Sequence, residues 1–499
     1  MNVDRRTFLA GAATSAAVLA LTACVGPPAP RPSKTASTPS PTPTGEVPRP
    51  SGFVRSNWTT DPFSRGASSY LPVGSAPDAR SALAQPVSKR LFFAGEATSV
   101  DAPGSLAGAQ SSGTRAANDV LVYAADRERV GIIGAGLAGA AAARALVAAG
   151  HEVLVFEGRD RVGGRVDARD QGEWPFLVDL GPSILHDVDA TQLGSRLDAL
   201  GVRTVAFDST SVSQRSPTAA VVPVDTVGED AVAAAVTWGA AQNRDVDLST
   251  ALAGAGGAAI DAAPDSSGVS AASRVAAYVD RAVVSQLGAD ANELSTWYGL
   301  DDRGSSDGSA AFIAGSVTDV VVDGLDGADV SLSTPVREVS YDDSGVRLKM
   351  ATGESITLDR VIVTVPLGVL QSDSIAFDPP LPFAHRAAVA ALGMGAVEKV
   401  WLRYDEPFWT DEAVFWSVVS AAEAYTAAAQ PSFLATPEPT VGGSLTPSIT
   451  QWINLMPITG DAVLIGLVGG DDARALSELG DDDVRDLALS SLVAFLPQS

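Results

Sequence analysis

The chain has 499 residues, with 34 Lys+Arg against 59 Asp+Glu, three histidines and one cysteine, and a formal charge of −25. That acidity argues against nucleic acid as a main partner, since phosphate binding needs basic patches; one cysteine excludes an internal disulfide or a cysteine-rich zinc centre, and three scattered histidines (His151, His186, His385) offer no metal site. At 46% hydrophobic and 19% charged residues, the chain is globular and long enough for large cores.

Residues 1–24 read MNVDRRTFLAGAATSAAVLALTAC. Arg5 and Arg6 precede a small-residue apolar run over 8–23, which falls short of the ~20 residues that span a bilayer. The arginine pair resembles a twin-arginine export signal, which carries folded proteins. Leu21-Thr22-Ala23-Cys24 resembles a bacterial lipoprotein box, whose cysteine is acylated after cleavage. Together they imply export by the twin-arginine pathway and a lipid anchor at Cys24 on the outer face of the bacterial cell membrane. Residues 25–52 carry nine prolines among Ser, Thr and Ala and read as an extended spacer. The folded body is expected from Phe53.

Further along, 105–123 reads as a helix, and the short link 124–128 feeds an apolar strand over 130–133. Gly134-x-Gly136-x-x-Gly139 then opens an Ala-rich helix that ends near Gly150, and 151–156 forms a second strand closed by Glu157. Each part has a task in binding a dinucleotide. Gly134 makes the tight turn, Gly136 lets backbone approach a pyrophosphate, and Gly139 lets helix and strand pack closely. The helix N-terminus points free N–H groups at the phosphates, and Glu157 accepts hydrogen bonds from ribose hydroxyls. The fold class is α/β, with a Rossmann-like unit.

Immediately after comes Arg159-x-Arg161-Val162-Gly163-Gly164-Arg165, then Val178-Asp179-Leu180-Gly181 with His186. Residues 331–370 alternate like a hairpin before an apolar run at 361–365 capped by Pro366-Leu367-Gly368. Leu392-Gly393-Met394-Gly395 leads to Glu398-Lys399-Val400, with Phe408-Trp409 beyond. These segments resemble the flavin-dependent amine oxidase family over roughly 53–497, apart from 205–290, whose Ala/Gly-rich sequence gives no readable pattern. The resemblance implies an FAD-binding domain (123–190 and 325–370) and an α+β substrate domain (191–324 and 371–499). It also implies oxidation of an amine by hydride transfer from the α-carbon to the flavin, with O2 as acceptor. Arg159, Gly163, Gly164 and Arg165 would approach the cofactor, and Val336 would meet the adenine through its backbone.

The family's C-terminal signature stands at the front of this chain, as NWTTDPFSRGASSYLPVG at 57–74 and LFFAGEATSVDAPGSLAGAQSSGTRAANDVL at 91–121. The resemblance therefore implies a circular permutation in which 53–122 completes both domains. Within it, Gly95 and Glu96 end a strand near the cofactor. Ser105 and Leu106 begin a helix whose N-terminus stabilises charge developing on reduced flavin.

Only four lysines occur: Lys34, Lys89, Lys349 and Lys399. The family places a lysine at Lys399, beside the flavin atom that accepts hydride, and a desolvated lysine suits proton chemistry there. Lys399 is the expected catalytic residue, with His186, Trp401, Tyr70 and Ser68 as candidates to line a substrate space. The family's aromatic pair that holds the amine falls here on small residues, around Ala67-Ser68 and at Ser105. Gly66 stands where covalent relatives carry a cysteine, so the FAD is expected to be non-covalent. Two other readings are an amino-acid oxidase or a flavin dehydrogenase with another acceptor, and a surface-anchored flavin-binding protein without turnover.

Overall fold

The computed structural model describes residues 45–186, 192–256, 260–300, 310–420 and 447–497. The export signal, Cys24 and the spacer up to residue 44 lie outside them.

The glycine-rich unit folds as its pattern dictates. The strand Arg129–Ile133 runs into the helix Leu137–Ala148, and the chain returns through the parallel strand Glu152–Phe156. These strands belong to a five-stranded parallel sheet in the order Asp329–Ser331, Glu152–Phe156, Arg129–Ile133, Arg360–Val363, Leu91–Phe93. Its central residues read as continuous Val/Ile runs because both faces are covered. Ile132 and Ile362 are fully buried, and burying a side chain of that size contributes about 1.5–3 kcal/mol. One face carries the helices Leu106–Tyr123 and Leu137–Ala148, which approach so closely that a Cβ on Gly113 would lie 2.1 Å from the Ala138 carbonyl oxygen. The other face packs on an antiparallel hairpin, Val336–Asp342 with Gly345–Met350, through Val339, Val346 and Leu348.

A second layer is a seven-stranded sheet with the order Gly52–Arg55, Val397–Arg403, Val463–Gly469, Gln451–Asn454, Phe415–Val418, Val212–Arg215, Val221–Val222. Its first strand comes from the beginning of the described chain and pairs antiparallel with Val397–Arg403. Arg55 then reaches the far end of the sequence. Its guanidinium donates to Asp481 Oδ1 at 2.7 Å and to the Leu479 carbonyl at 2.7 Å. Val47 is buried with Leu492, Phe495 and Leu496. The stretch 205–290, unreadable in sequence, supplies two of these strands and the helices Val227–Ala240, Leu248–Gly254 and Ala271–Val279.

One buried ion pair locks the helix Leu106–Tyr123 to the glycine-rich unit. Arg360 donates through Nε to Glu128 Oε2 at 2.7 Å and through Nη2 to Oε1 at 3.1 Å. It also reaches the carbonyls of Lys89 and Tyr123. The two side chains are 7% and 13% exposed, so removing one partner strands the other. Glu128→Ala should therefore lower the unfolding free energy by about 3–5 kcal/mol in a urea titration. A loss below about 1 kcal/mol would mean that solvent screens the pair.

Candidate functional site

Parallel sheets place ligands at the carboxyl ends of their strands. There, Ile133, Phe156, Thr364 and Gly95, each at or just past a strand end, open onto a cavity of ≈ 340 Å³. Its wall includes Gly134, Gly136, Glu157, Arg159, Gly163, Gly164, Arg165, Val336, Gly95, Glu96, Ser105 and Leu106, which the sequence had scattered over 240 positions of chain. Two helices aim their N-termini at it. Gly136 caps Leu137–Ala148, and Ser105 caps Leu106–Tyr123 by accepting from the Gly108 N–H at 2.9 Å. The positive ends of both dipoles thus face one space, which favours an anionic or electron-accepting group in it.

The glycines separate into two kinds. Gly139 does not line the cavity; a Cβ there would sit 2.0 Å from the Gly134 carbonyl oxygen, so this glycine is demanded by the protein's own packing. Gly136 is different. Its backbone is extended (φ −81°, ψ −175°), which any residue adopts, and a Cβ would meet only Gly163 O at 3.7 Å and Gly164 Cα at 4.0 Å. The protein leaves room for a Cβ here, and what it would fill is the cavity. This is the expected form of a surface that a pyrophosphate must approach.

Glu157, 4% exposed, accepts from the Ala135 N–H at 2.8 Å and the Arg159 N–H at 2.9 Å. Each oxygen keeps a lone pair for a sugar hydroxyl. Arg159 leans instead on the early segment: its Nη2 donates to Asp61 Oδ2 at 2.9 Å and Ser64 Oγ at 2.7 Å. Glu96 is the hub of the opposite wall. It accepts from Ser69 Oγ at 2.6 Å, Gly104 N at 3.0 Å and Arg165 Nη1 at 3.0 Å. Burial pushes its carboxyl up, but Arg165, Arg80 and the Ser69 hydroxyl outweigh this and hold it below the usual range. Glu96 is therefore a fixed anion that orients Arg165 and the Gly104 turn.

Lys399 stands one layer behind the wall. Its Nζ donates to the Gly181 carbonyl and to Ser183 Oγ, the two residues flanking Pro182, which lines the cavity. Burial pulls the amine down to about 8, with Asp179 pulling the other way. Its backbone is gripped by Ser56, which accepts from the Lys399 N–H at 2.8 Å and donates its own N–H to the Lys399 carbonyl at 3.0 Å. Ser56 also donates to the fully buried Glu398 at 2.5 Å.

Of the expected substrate-lining residues, Trp401, Tyr70 and Ser68 do not line this cavity. Trp401 shares a strand face with Lys399 but lies one pleat further on, fully buried among Trp174, Phe176 and Phe312. Tyr70 packs over Gly393 and donates to Glu293 Oε1 at 3.1 Å. Ser68 lies behind Gly104, with its hydroxyl 2.5 Å from where a Cβ of Gly104 would be. His186 ends the strand Ile184–His186, and its side chain lies outside the described part. Ala67 and Ser105, the small residues at the two expected aromatic positions, do line the cavity.

Phe63, Arg65, Pro182 and Thr364 are among the wall residues that the sequence reading did not single out. Thr364 had a usable signal, since it directly follows a strand. Its Oγ1 donates to the carbonyls of Ile133 (2.9 Å) and Gly134 (3.1 Å), pinning the glycine turn. Gly66, in turn, has φ +130°, and a Cβ there would lie 2.9 Å from the Gly395 carbonyl oxygen.

A parallel sheet with a glycine turn, two converging helix N-termini and an acidic strand end is the architecture of an oxidoreductase that holds a dinucleotide cofactor. The chain belongs to the flavin-containing amine oxidoreductase family, whose sequence model matches residues 41–121 and 137–499. It is an FAD-dependent amine oxidoreductase. It is similar to polyamine oxidase 4 of Oryza sativa subsp. japonica, at 27% identity over 387 residues, covering 74% of this chain and 73% of that protein. It is also similar to a lysine-specific histone demethylase 1 homolog 2 of Arabidopsis thaliana, at 30% identity over 56% of this chain and 38% of that protein. Among solved structures, a triple mutant of putrescine oxidase with redesigned cofactor binding shares the fold, with a TM-score of 0.54 and 22% identity. It covers 74% of this chain and 81% of that one.

Proposed function

We propose that the protein is a lipid-anchored amine oxidase of permuted segment order. Bound FAD, held without a covalent link, would supply hydride acceptance from the α-carbon of a neutral amine and transfer of the electrons to O2, giving an imine, then an aldehyde, and H2O2. The observation that carries this reading is the single cavity onto which both helix N-termini and the unobstructed face of Gly136 open, with Lys399 tied to the loop that forms its wall. In that arrangement Glu157 would hold the ribose, the N–H groups of residues 136–138 the pyrophosphate, and the dipole of Leu106–Tyr123 the flavin end. Lys399 holds or releases a proton next to Pro182.

The permuted order is supported by Val47 and Gly45 lying against Leu496, and by Ser56 and Thr59 being bonded to Glu398. In the family's usual order the segment 53–122 would follow residue 497. The anchoring is supported by the twin-arginine and lipoprotein-box residues and by the lone cysteine at position 24. Among the described residues no helix is long and apolar enough to cross a membrane.

The small residues Ala67 and Ser105 in the cavity wall favour a substrate bulkier than a simple aliphatic amine, whose own ring would fill the space an aromatic pair normally occupies. The full-length protein should be purified, scored for yellow colour and FAD content, and screened for peroxide with aliphatic amines, arylalkylamines and amino acids. Peroxide with an arylalkylamine exceeding that with putrescine is the expected result. Peroxide only from amino acids would move the enzyme to amino-acid oxidation, and a flavin-loaded protein silent on every substrate would make it a binding protein.

A further inference from the structure

Asp179 is 1% exposed, and only one of its two oxygens is used. Oδ1 accepts from the Gly181 N–H at 2.8 Å, closing the turn that leads into Pro182. Oδ2 is buried and has no hydrogen-bond partner. Such an atom is costly unless a charge nearby compensates for it. The cation at hand is Lys399, whose Nζ is bonded to the carbonyl of the same Gly181.

The remaining charges are spoken for. Asp167, the other buried carboxylate of this layer, is neutralised by Arg161 at 3.0 Å and Arg169 at 2.7 Å. Arg165 is engaged with Glu96. Glu398 precedes Lys399 on the strand and so points to the opposite face, where Ser56 and Thr59 donate to it. The strand residue facing Lys399 on Val463–Gly469 is Leu467, and Val400 faces Arg55, whose guanidinium is bound at Asp481.

We infer that Asp179 is a positioning residue for the reaction: its unpaired carboxylate oxygen is the counter-charge that sets the protonation of Lys399, while its other oxygen shapes the Pro182 wall to which that lysine is tied. The inference rests on the role given to Lys399 above. Burial raises Asp179 to about 6, the Asp167 carboxylate adds to the rise, and Lys399 opposes it most, with the Gly181 and Asp167 N–H groups helping. The sign is the same whichever form of the lysine the reaction uses. Removing the anion lowers the affinity of Lys399 for its proton, so its titration moves to lower pH.

Four lysines make the test direct. FAD-loaded full-length protein labelled with 13Cε-lysine should give one resonance that disappears in Lys399→Met and titrates near pH 8. In Asp179→Asn, whose amide oxygen can still accept from the Gly181 N–H, that resonance should titrate lower by about 1–3 pH units. The other lysine resonances should not move. An unchanged or higher midpoint overturns the inference. Should Asp179→Asn fail to fold, the wild-type resonance carries the answer: a second, smaller inflection near pH 6 is expected as Asp179 takes its proton, and a single smooth step overturns the coupling. None of these readouts needs an amine substrate, so an unreactive enzyme and an uncoupled pair are told apart.

Discussion

Gly136→Val should abolish FAD uptake, weakening cofactor affinity by at least about 100-fold, or ~2.8 kcal/mol. The added Cβ meets only Gly163 O at 3.7 Å and Gly164 Cα at 4.0 Å, and the extended backbone at Gly136 accepts a β-branched residue. The Cβ projects into the cavity at the point where a pyrophosphate would meet the first N–H groups of the helix. The apoprotein should be nearly as stable as wild type, losing about 1 kcal/mol for a poorer helix cap. Visible flavin absorbance after reconstitution, read beside a urea titration of the apoprotein, checks both halves. A valine variant that retains stoichiometric FAD would show that the pyrophosphate does not lie against Gly136. The contrast with Gly139 sharpens the point, because a Cβ there would lie 2.0 Å from a carbonyl oxygen and disturb the fold itself.

Lys399→Met should slow turnover of a competent amine by about 100-fold while leaving FAD content unchanged. Methionine keeps the length of the side chain and removes the charge. The backbone at 399 stays clamped by Ser56 whatever the side chain, and the strand pairing on either side does not involve Nζ. Anaerobic mixing with amine and aerobic mixing of the reduced enzyme separate the two half-reactions. Equal loss in both would mean that the lysine acts on the wall as a whole, and loss in one alone would place it on that half. Kinetics equal to wild type in both would remove Lys399 from the reaction.

The cofactor end of the molecule was legible because its residues answer to local rules. A strand, a turn that needs φ > 0 at Gly134, a helix and a closing acid are contiguous in sequence, so spacing alone places Gly134, Gly136, Gly139 and Glu157 together. The opposite wall was reached through resemblance, since nothing local joins Gly95, Glu96 and Ser105 to a turn beginning at Gly134. The aromatic candidates lie away from the cavity for a physical reason. Trp401 and Lys399 alternate onto the same face, but Lys399 is tied to the loop behind the cavity wall and Trp401, one pleat further on, is buried among aromatic side chains. The helix Val227–Ala240 hid for a different one. Its buried stripe is Gly228, Val232, Ala235 and Gly239, small residues chosen for close approach to Tyr278 and Thr296, so the hydrophobic period that betrays an amphipathic helix is faint. Asp179 was read as part of a motif and not as a charge, because its burial comes from elements far apart in the chain.

Among the described residues, the edge strand Leu91–Phe93 finds its only parallel partner in Arg360–Val363. During synthesis the ribosome must add residues 94–359 before that partner exists, a wait on the order of tens of seconds at usual elongation rates. Until then Phe92 and Phe93, both fully buried in the finished molecule, lack their sheet partner, and Leu91 has only its bridge to Val87. The flavin end of the site is thus emitted early and completed late, and the cofactor can settle only on a chain that is almost whole. A nascent-chain series should acquire flavin fluorescence quenching abruptly, once the strand at 360 has cleared the exit tunnel.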